Sequence, residues 1–291
     1  MINSISNDFL SVDVKTEGAE LCSLKQLKNN KEFLWTGDAK YWNGQSPILF
    51  PVVGRIRKQG LVIDGQIFDM PKHGFARKTE FELIEHCGTN LRYRIADSDY
   101  TYSVYPYKFL FDVEYKLVEN CLEICFTVTN SDEKVMCFSL GAHPGFNCPL
   151  DEDEKFSDYY IEFDRNETAD CWRIVDDLLA KCEPKYLENQ DLLTLDRHMF
   201  KDDALVFKQL NSSRLYLCSR KRGRRLEIDF AGFKHLGLWT KSEDAPFICI
   251  EPWLGYDDVK GFEGDITEKE GIELLNPGKQ FSCSYSIKVL G

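Results

Sequence analysis

Apolar residues along this chain recur at every second position, segment after segment, and almost nowhere at the spacing of an amphipathic helix. That regularity excludes a helical bundle and predicts many short antiparallel strands. Phe9 to Lys15 and Ala19 to Leu27 read as an opening hairpin broken at Gly18, and Phe33-Leu34-Trp35 reads as a third short strand. Leu61 to Phe68 carries Asp64-Gly65 between two apolar runs, the strongest local hairpin signal. Phe81 to Glu85, Asn90 to Ala96, Phe109 to Leu117 and Cys121 to Thr129 alternate, with Glu119-Asn120 as a tight turn between the last two. Lys134 to Leu140 follows. Strand signals resume at Tyr159 to Phe163, Ala204 to Phe207, Arg214 to Cys218, Arg225 to Phe230, Leu236 to Thr240, Phe247 to Glu251 and Phe281 to Val289. Ser98 to Tyr107 predicts an irregular or one-turn helical connection, and Asp176 to Lys181 a helical turn. With no repeat, linker or composition break, the reading is one all-β domain over 1–291, a large antiparallel β-sandwich of two packed sheets. Loops at one end of such a sandwich gather the polar groups.

The net charge of −12 argues against a nucleic-acid partner, which requires a basic face. The strongly basic cluster, Arg220 to Arg225, reads as a solvated hairpin turn centred on Gly223, and the acidic run Asp151 to Glu154 as a solvated loop. Eleven cysteines, none in a Cys-x-x-Cys pair, fit a reducing compartment with thiols buried as small hydrophobes. With no apolar N-terminal region and no run near the ~20 residues of a membrane span, the expectation is a cytoplasmic protein without a membrane partner. Ligand spacings for a metal are absent, as are a phosphate-binding glycine loop and a Gly-x-Ser-x-Gly elbow, so neither metal nor cofactor is expected. The oligomeric state is not legible.

Three stretches carry ionisable groups at expected strand ends beside Gly or Pro: Gly141-Ala142-His143-Pro144-Gly145-Phe146, Met70 to Arg77 around His73, and Ile248 to Gly255 around Glu251. Two histidines and a carboxylate suit acid–base work near neutral pH. Glu251 closes an apolar run, so its carboxylate borders the core, where burial raises its pKa. Lys72 and Arg77 flank His73. Arg55 and Arg57 share one face if their segment is extended. Trp239 and Trp253 are either core or platforms for a sugar ring. His86, His198 and His235 lack such settings and read as structural or exposed.

Taken together, Phe50-Pro51 with Gly54-Arg55, Lys72 to Arg77, Gly141 to Phe146, Phe200 to Leu205 and Ile250 to Trp253 resemble, in order and spacing, the aldose 1-epimerase (galactose mutarotase-like) superfamily, in its LacX-like branch. The resemblance covers nearly the whole chain. It implies the superfamily's β-supersandwich and interconversion of the α and β anomers of a free aldohexose without metal or nucleotide. By motif it places the general acid on His143, the general base on Glu251 and a second histidine on His73. Substrate binding falls on Arg55 and on Asp203 or the adjoining Asp202, with Trp239 and Arg77 joining that set. Pro144-Gly145-Phe146 stands where galactose mutarotases carry Thr-Tyr-Phe, and Pro252-Trp253 follows Glu251 where they carry Thr. The sugar is therefore left open, and so are a hexose-6-phosphate substrate and a non-catalytic sugar-binding or sensor role. The acidic net charge and the uncertain direction of Lys72 and Arg77 favour a neutral aldose.

Overall fold

Alternating side chains bury one face of each strand, and the chain satisfies its backbone by pairing those strands side by side. The computed structural model describes residues 1–57, 60–241 and 244–291. Among them one fifteen-stranded sheet dominates. Its path runs from Ile48–Leu49 through Leu140–Ala142, Phe247–Leu254, His235–Trp239, Leu205–Phe207, Tyr159–Val175 and Arg214–Ser219. It continues through Gly223–Asp229, Gln280–Val289, Cys121–Asn130, Phe109–Val118 and Asn90–Ala96 to Glu82–Cys87. Gly145–Asn147 also pairs with Phe247–Leu254, and Leu178–Thr194 with Tyr159–Val175. A second sheet of Ile2–Ser6, Leu10–Lys15, Leu21–Gln26 and Lys31–Glu32 covers the far end. The Tyr115 hydroxyl donates to the Ala19 carbonyl at 2.6 Å and stitches the two sheets together. Between them lies the main core, which includes Val12, Val14, Leu24, Tyr93, Phe111, Val113 and Phe126. The fold is the expected large antiparallel β-sandwich.

Several local expectations hold. Asp64 and Gly65 both take positive φ in a two-residue turn, and Glu119 does so between its strands. Ser98 caps a short helix, Asp99–Val104, with a reciprocal capping box. Others need correction. Asp176 to Lys181 is not helical: Asp176 and Asp177, at φ 54° and 68°, turn a hairpin between two seventeen-residue strands, the second of which the sequence reading missed. Phe33 to Trp35 is not a strand: the short strand there is Lys31–Glu32, the fourth in the chain because Ile2–Ser6 precedes the opening hairpin, and Leu34 makes only an isolated bridge to Phe146. The strand carrying Glu251 does not end there but runs on through Pro252 to Leu254. The acidic run is not simply solvated. Glu154 is buried and accepts from Ser219, Tyr159 and Arg222, the last at 2.7 Å, while Arg225 meets Asp151 at 3.2 Å. The basic turn is thus spent on the acidic run. Cys137, Cys148, Cys171, Cys218, Cys249 and Cys283 are buried, whereas Cys87 and Cys182 are exposed. No described helix is long and apolar enough to cross a membrane.

Candidate active site

Register sets His143 against Glu251. Leu140–Ala142 pairs with the Glu251 strand as Gly141↔Trp253, and Gly145–Asn147 pairs with the same strand as Gly145↔Cys249. His143 and Pro144 fill the gap between those two short partners, which brings His143 opposite Glu251. His143 Nε2 stands 3.2 Å from Glu251 Oε2. The contact is close but not aligned as a hydrogen bond, and that oxygen lacks a hydrogen-bond partner. Pro252 sits beside this break in the ladder, where a residue without an N–H is tolerated. Alternation does the rest. Ile248, Ile250 and Leu254 face the main core, while Phe247, Cys249, Glu251 and Trp253 face the other way, into smaller aromatic clusters. Gly237 lies across from Glu251 on the neighbouring strand. A Cβ there would come within 2.8 Å of the Trp253 ring, so a side chain would displace it.

His73 arrives by a different route. It follows no strand, contrary to expectation, but sits in a turn with φ 65°. Its N–H donates to Gly54 O at 2.8 Å, and Gly54 N–H donates back to His73 Nδ1 at 3.1 Å. Because Nδ1 accepts, Nε2 carries the proton of the neutral ring and is available as a donor. Gly74 beside it could not carry a side chain, since a Cβ would lie 2.1 Å from Phe50 O. Gly54 is packed as tightly against Asp257, whose Oδ1 accepts from Arg55 N–H at 2.7 Å.

These groups border one cleft of about 500 Å³ that also takes in Arg55, Arg77, Asp203 and Trp239. Every residue expected at the site therefore lines it. Asp203, at φ 69°, is the cleft residue of the Asp202–Asp203 pair; Asp202 is exposed and faces Lys201. Trp253 is a wall residue but almost wholly buried. Arg55 Nε meets Asp177 at 3.2 Å, which ties the hairpin turn to the cleft mouth. Arg57 diverges from Arg55: its guanidinium donates to the carbonyls of Phe262 and Gly264. Trp42, Lys201, Lys241 and Asp257 also line the cleft and were missed. Trp42 stacks at a tilt 5.0 Å from the His143 ring, and nothing around it in sequence signals that role.

Burial controls the electrostatics. Glu251 is 1% exposed, and desolvation pushes its carboxyl well above the ordinary carboxylate range, with Asp203 and Asp257 adding to the rise and Lys72 opposing it. Desolvation lowers His143 to about 3, reinforced by Lys72 and Arg77. His73 is held well below its ordinary value by burial, then by Lys72 and His143. Imidazole and carboxylic acid are thus the favoured forms, which leaves the pair with one proton, on Glu251. Among the described residues one trio, His143, Cys249 and Glu251, brings metal-ligating atoms within 4.8 Å of one another. Burial and Glu251 push the Cys249 thiol well up, which disfavours the thiolate a metal would want.

A family model for aldose 1-epimerase matches residues 1–286. The chain is 37% identical to the chromosomal protein LacX of Lactococcus lactis subsp. lactis, over 100% of both chains. Its fold is similar to that of a galactose mutarotase related enzyme from Lactobacillus acidophilus, with TM-score 0.92, 30% identity and coverage of 100% of this chain and 98% of that one. A galactose mutarotase-like protein from Lactobacillus casei matches at TM-score 0.92 and 26% identity, with 100% of both chains covered. The chain belongs to the aldose 1-epimerase family.

Proposed function

We propose that the protein interconverts the α and β anomers of an aldose by acid–base ring opening. The observation that carries the reading is the 3.2 Å contact between His143 Nε2 and Glu251 Oε2 at the floor of one cleft. In a cyclic aldose the ring oxygen and the anomeric hydroxyl are bonded to the same carbon, so the acid and the base must be neighbours. Glu251 as carboxylate takes the proton of the anomeric hydroxyl while His143 as imidazolium protonates the ring oxygen. The bond from C1 to the ring oxygen breaks and the aldehyde forms. Both catalytic groups are then neutral, which is the state their burial favours. Rotation about C1–C2 presents the other face of the aldehyde. On closure the hydroxyl returns its proton to His143, and Glu251 protonates the new anomeric oxygen. His73 Nε2–H and Arg55 are suited to hold the ring and its hydroxyls while charge develops. One acid and one base contribute ~10²–10⁴-fold each. Polarimetry across a panel of aldoses tests the reading; no acceleration for any of them would leave a binding protein.

A second reading, that the aldose carries an anionic group, is favoured by one observation. Arg55, Lys72, Arg77, Lys201 and Lys241 all border the cleft, whereas two of its three carboxyl groups, Glu251 and Asp257, are pushed up by burial. Neither Lys72 nor Arg77 has an ion-pair partner among the described residues. The basic turn at Arg220 to Arg225 plays no part in this, since Arg222 and Arg225 are bound to the acidic run and Arg224 to Glu162. Comparing kcat/KM for glucose, galactose and their 6-phosphates at low and high salt separates the readings. A phosphorylated substrate predicts a preference for the 6-phosphate that weakens with salt and is lost in Lys72→Ala and Arg77→Ala.

A further inference from the structure

The sheet face that carries Glu251 continues into a second cavity, of about 380 Å³. Register locates it. Glu251, Gly237, Val206 and Trp172 form one row across four neighbouring strands. The next row holds Trp253 and His235, with Lys208 brought beside them by the 2.6 Å contact of His235 Nδ1 with Lys208 O. The second cavity opens over this next row, walled by Trp172, Lys208, His235, Tyr256 and Glu270. It therefore lies roughly 7 Å along the strands from the row of Glu251, and its Trp172 wall stands three strand spacings, roughly 14 Å, across the sheet from Glu251 itself.

Its chemistry is built rather than incidental. His235 is 8% exposed. Facing a carbonyl, its Nδ1 must carry the proton and donate, so Nε2 is a bare acceptor, and that atom is buried without a partner. A buried acceptor of this kind is costly to leave unfilled. Lys208 Nζ is clamped 3.6 Å from the Trp172 ring centroid and 4.1 Å from that of Tyr256, and it meets Glu270 at 3.1 Å. Its donor direction is thereby fixed and its charge balanced. Asp170, Lys185 and Gln209 add one carboxylate, one ammonium and one amide. Donors and acceptors alternate beside aromatic walls with no excess of either charge. An anion would face Glu270 and Asp170, and an apolar ligand would leave the His235 acceptor unmet. Hydroxyl groups, which donate and accept at once, suit the set.

We propose that this cavity is a second carbohydrate subsite that takes a neutral pyranose as a free sugar, independent of one seated over Glu251. The proposal concerns binding and does not require that the cleft turn its sugar over. The test is protein-observed NMR of the tryptophan indole N–H signals, with Trp172 assigned through Trp172→Phe, during titration with glucose, galactose and lactose at millimolar concentration. The Trp172 signal should shift, and Lys208→Met should abolish that shift while leaving those of Trp42 and Trp239. Separate saturation curves for Trp172 and Trp239 are expected; one curve shared by both for every sugar would mean a single site and overturn the proposal. His235→Ala, checked for an unchanged Tm, should weaken the Trp172 response at least tenfold. A Trp172 signal unmoved by all three sugars while Trp239 moves, or a shift that persists in Lys208→Met, overturns the proposal.

Discussion

At the residue scale, Glu251 and His143 are expected to act as one unit, because the carboxyl oxygen and the imidazole nitrogen lie 3.2 Å apart at the floor of the cleft. Glu251→Gln keeps the shape and removes the base, so anomer interconversion should fall by ~10²-fold or more while sugar still binds. His143→Asn should do likewise, and the double variant should be little worse than either, as read by polarimetry. The pH profile follows from the directions of the shifts. Burial raises Glu251 above the ordinary 4.5 and lowers His143 from 6.5 to about 3, so the singly protonated pair persists between those two limits. The kcat/KM profile should therefore show no loss on acidification through the ordinary histidine value of 6.5; an acid limb there would mean that His143 titrates as an ordinary imidazole. Both residues were legible because each stands in an unusual local setting, a Gly-Ala-His-Pro-Gly turn and a carboxylate within an apolar strand. Trp42, Lys241 and Asp257 were not, since no local rule directs a side chain into a cleft built by segments distant in sequence.

At the scale of elements, the period of two revealed most strands but not their lengths or partners. The hairpin of Tyr159–Val175 and Leu178–Thr194 went half-read because its register shifts interrupt the alternation, and the polar, exposed Leu178–Thr194 strand hides the pattern further. Pro252 suggested a strand end because a proline in a central strand ordinarily breaks a ladder; here the pairing on that side already stops at Gly141 and resumes only at Gly145. Gly237 shows how tightly the strands under the cleft are fitted. In Gly237→Ala the new Cβ would meet Trp253 at 2.8 Å and Glu251 Cβ at 3.3 Å. A stability loss of about 1–3 kcal/mol is expected in denaturant titration, together with a larger proportional loss of kcat/KM, because the displaced indole adjoins the base.

At the scale of the whole molecule, charge is arranged rather than merely summed. A chain of net −12 gathers five cationic side chains around one cleft, while its densest basic run is bound to its densest acidic run. Composition conveyed the total and could not convey the distribution. Burial alone would raise Glu154, but its hydrogen bonds from Ser219, Tyr159 and Arg222 outweigh that and hold it below its ordinary value. Its contribution is present above the unfolded pKa of about 4.5 and is lost as pH falls through the lower folded value. Glu154→Gln should therefore lower Tm at pH 7 by several degrees and flatten the decline that sets in below about pH 4.5, measured by thermal scans carried from pH 7 to well below pH 4.

The register that sets His143 opposite Glu251 has a consequence for how the protein regains activity after denaturation. A slip of two residues between the Glu251 strand and its short partners would keep inward and outward faces intact and restore β-sheet content. It would set His143 against Cys249 or Trp253, leaving a chain that looks native by circular dichroism and does no chemistry. Recovered turnover, compared with recovered ellipticity, would count the molecules whose strands have found their proper alignment.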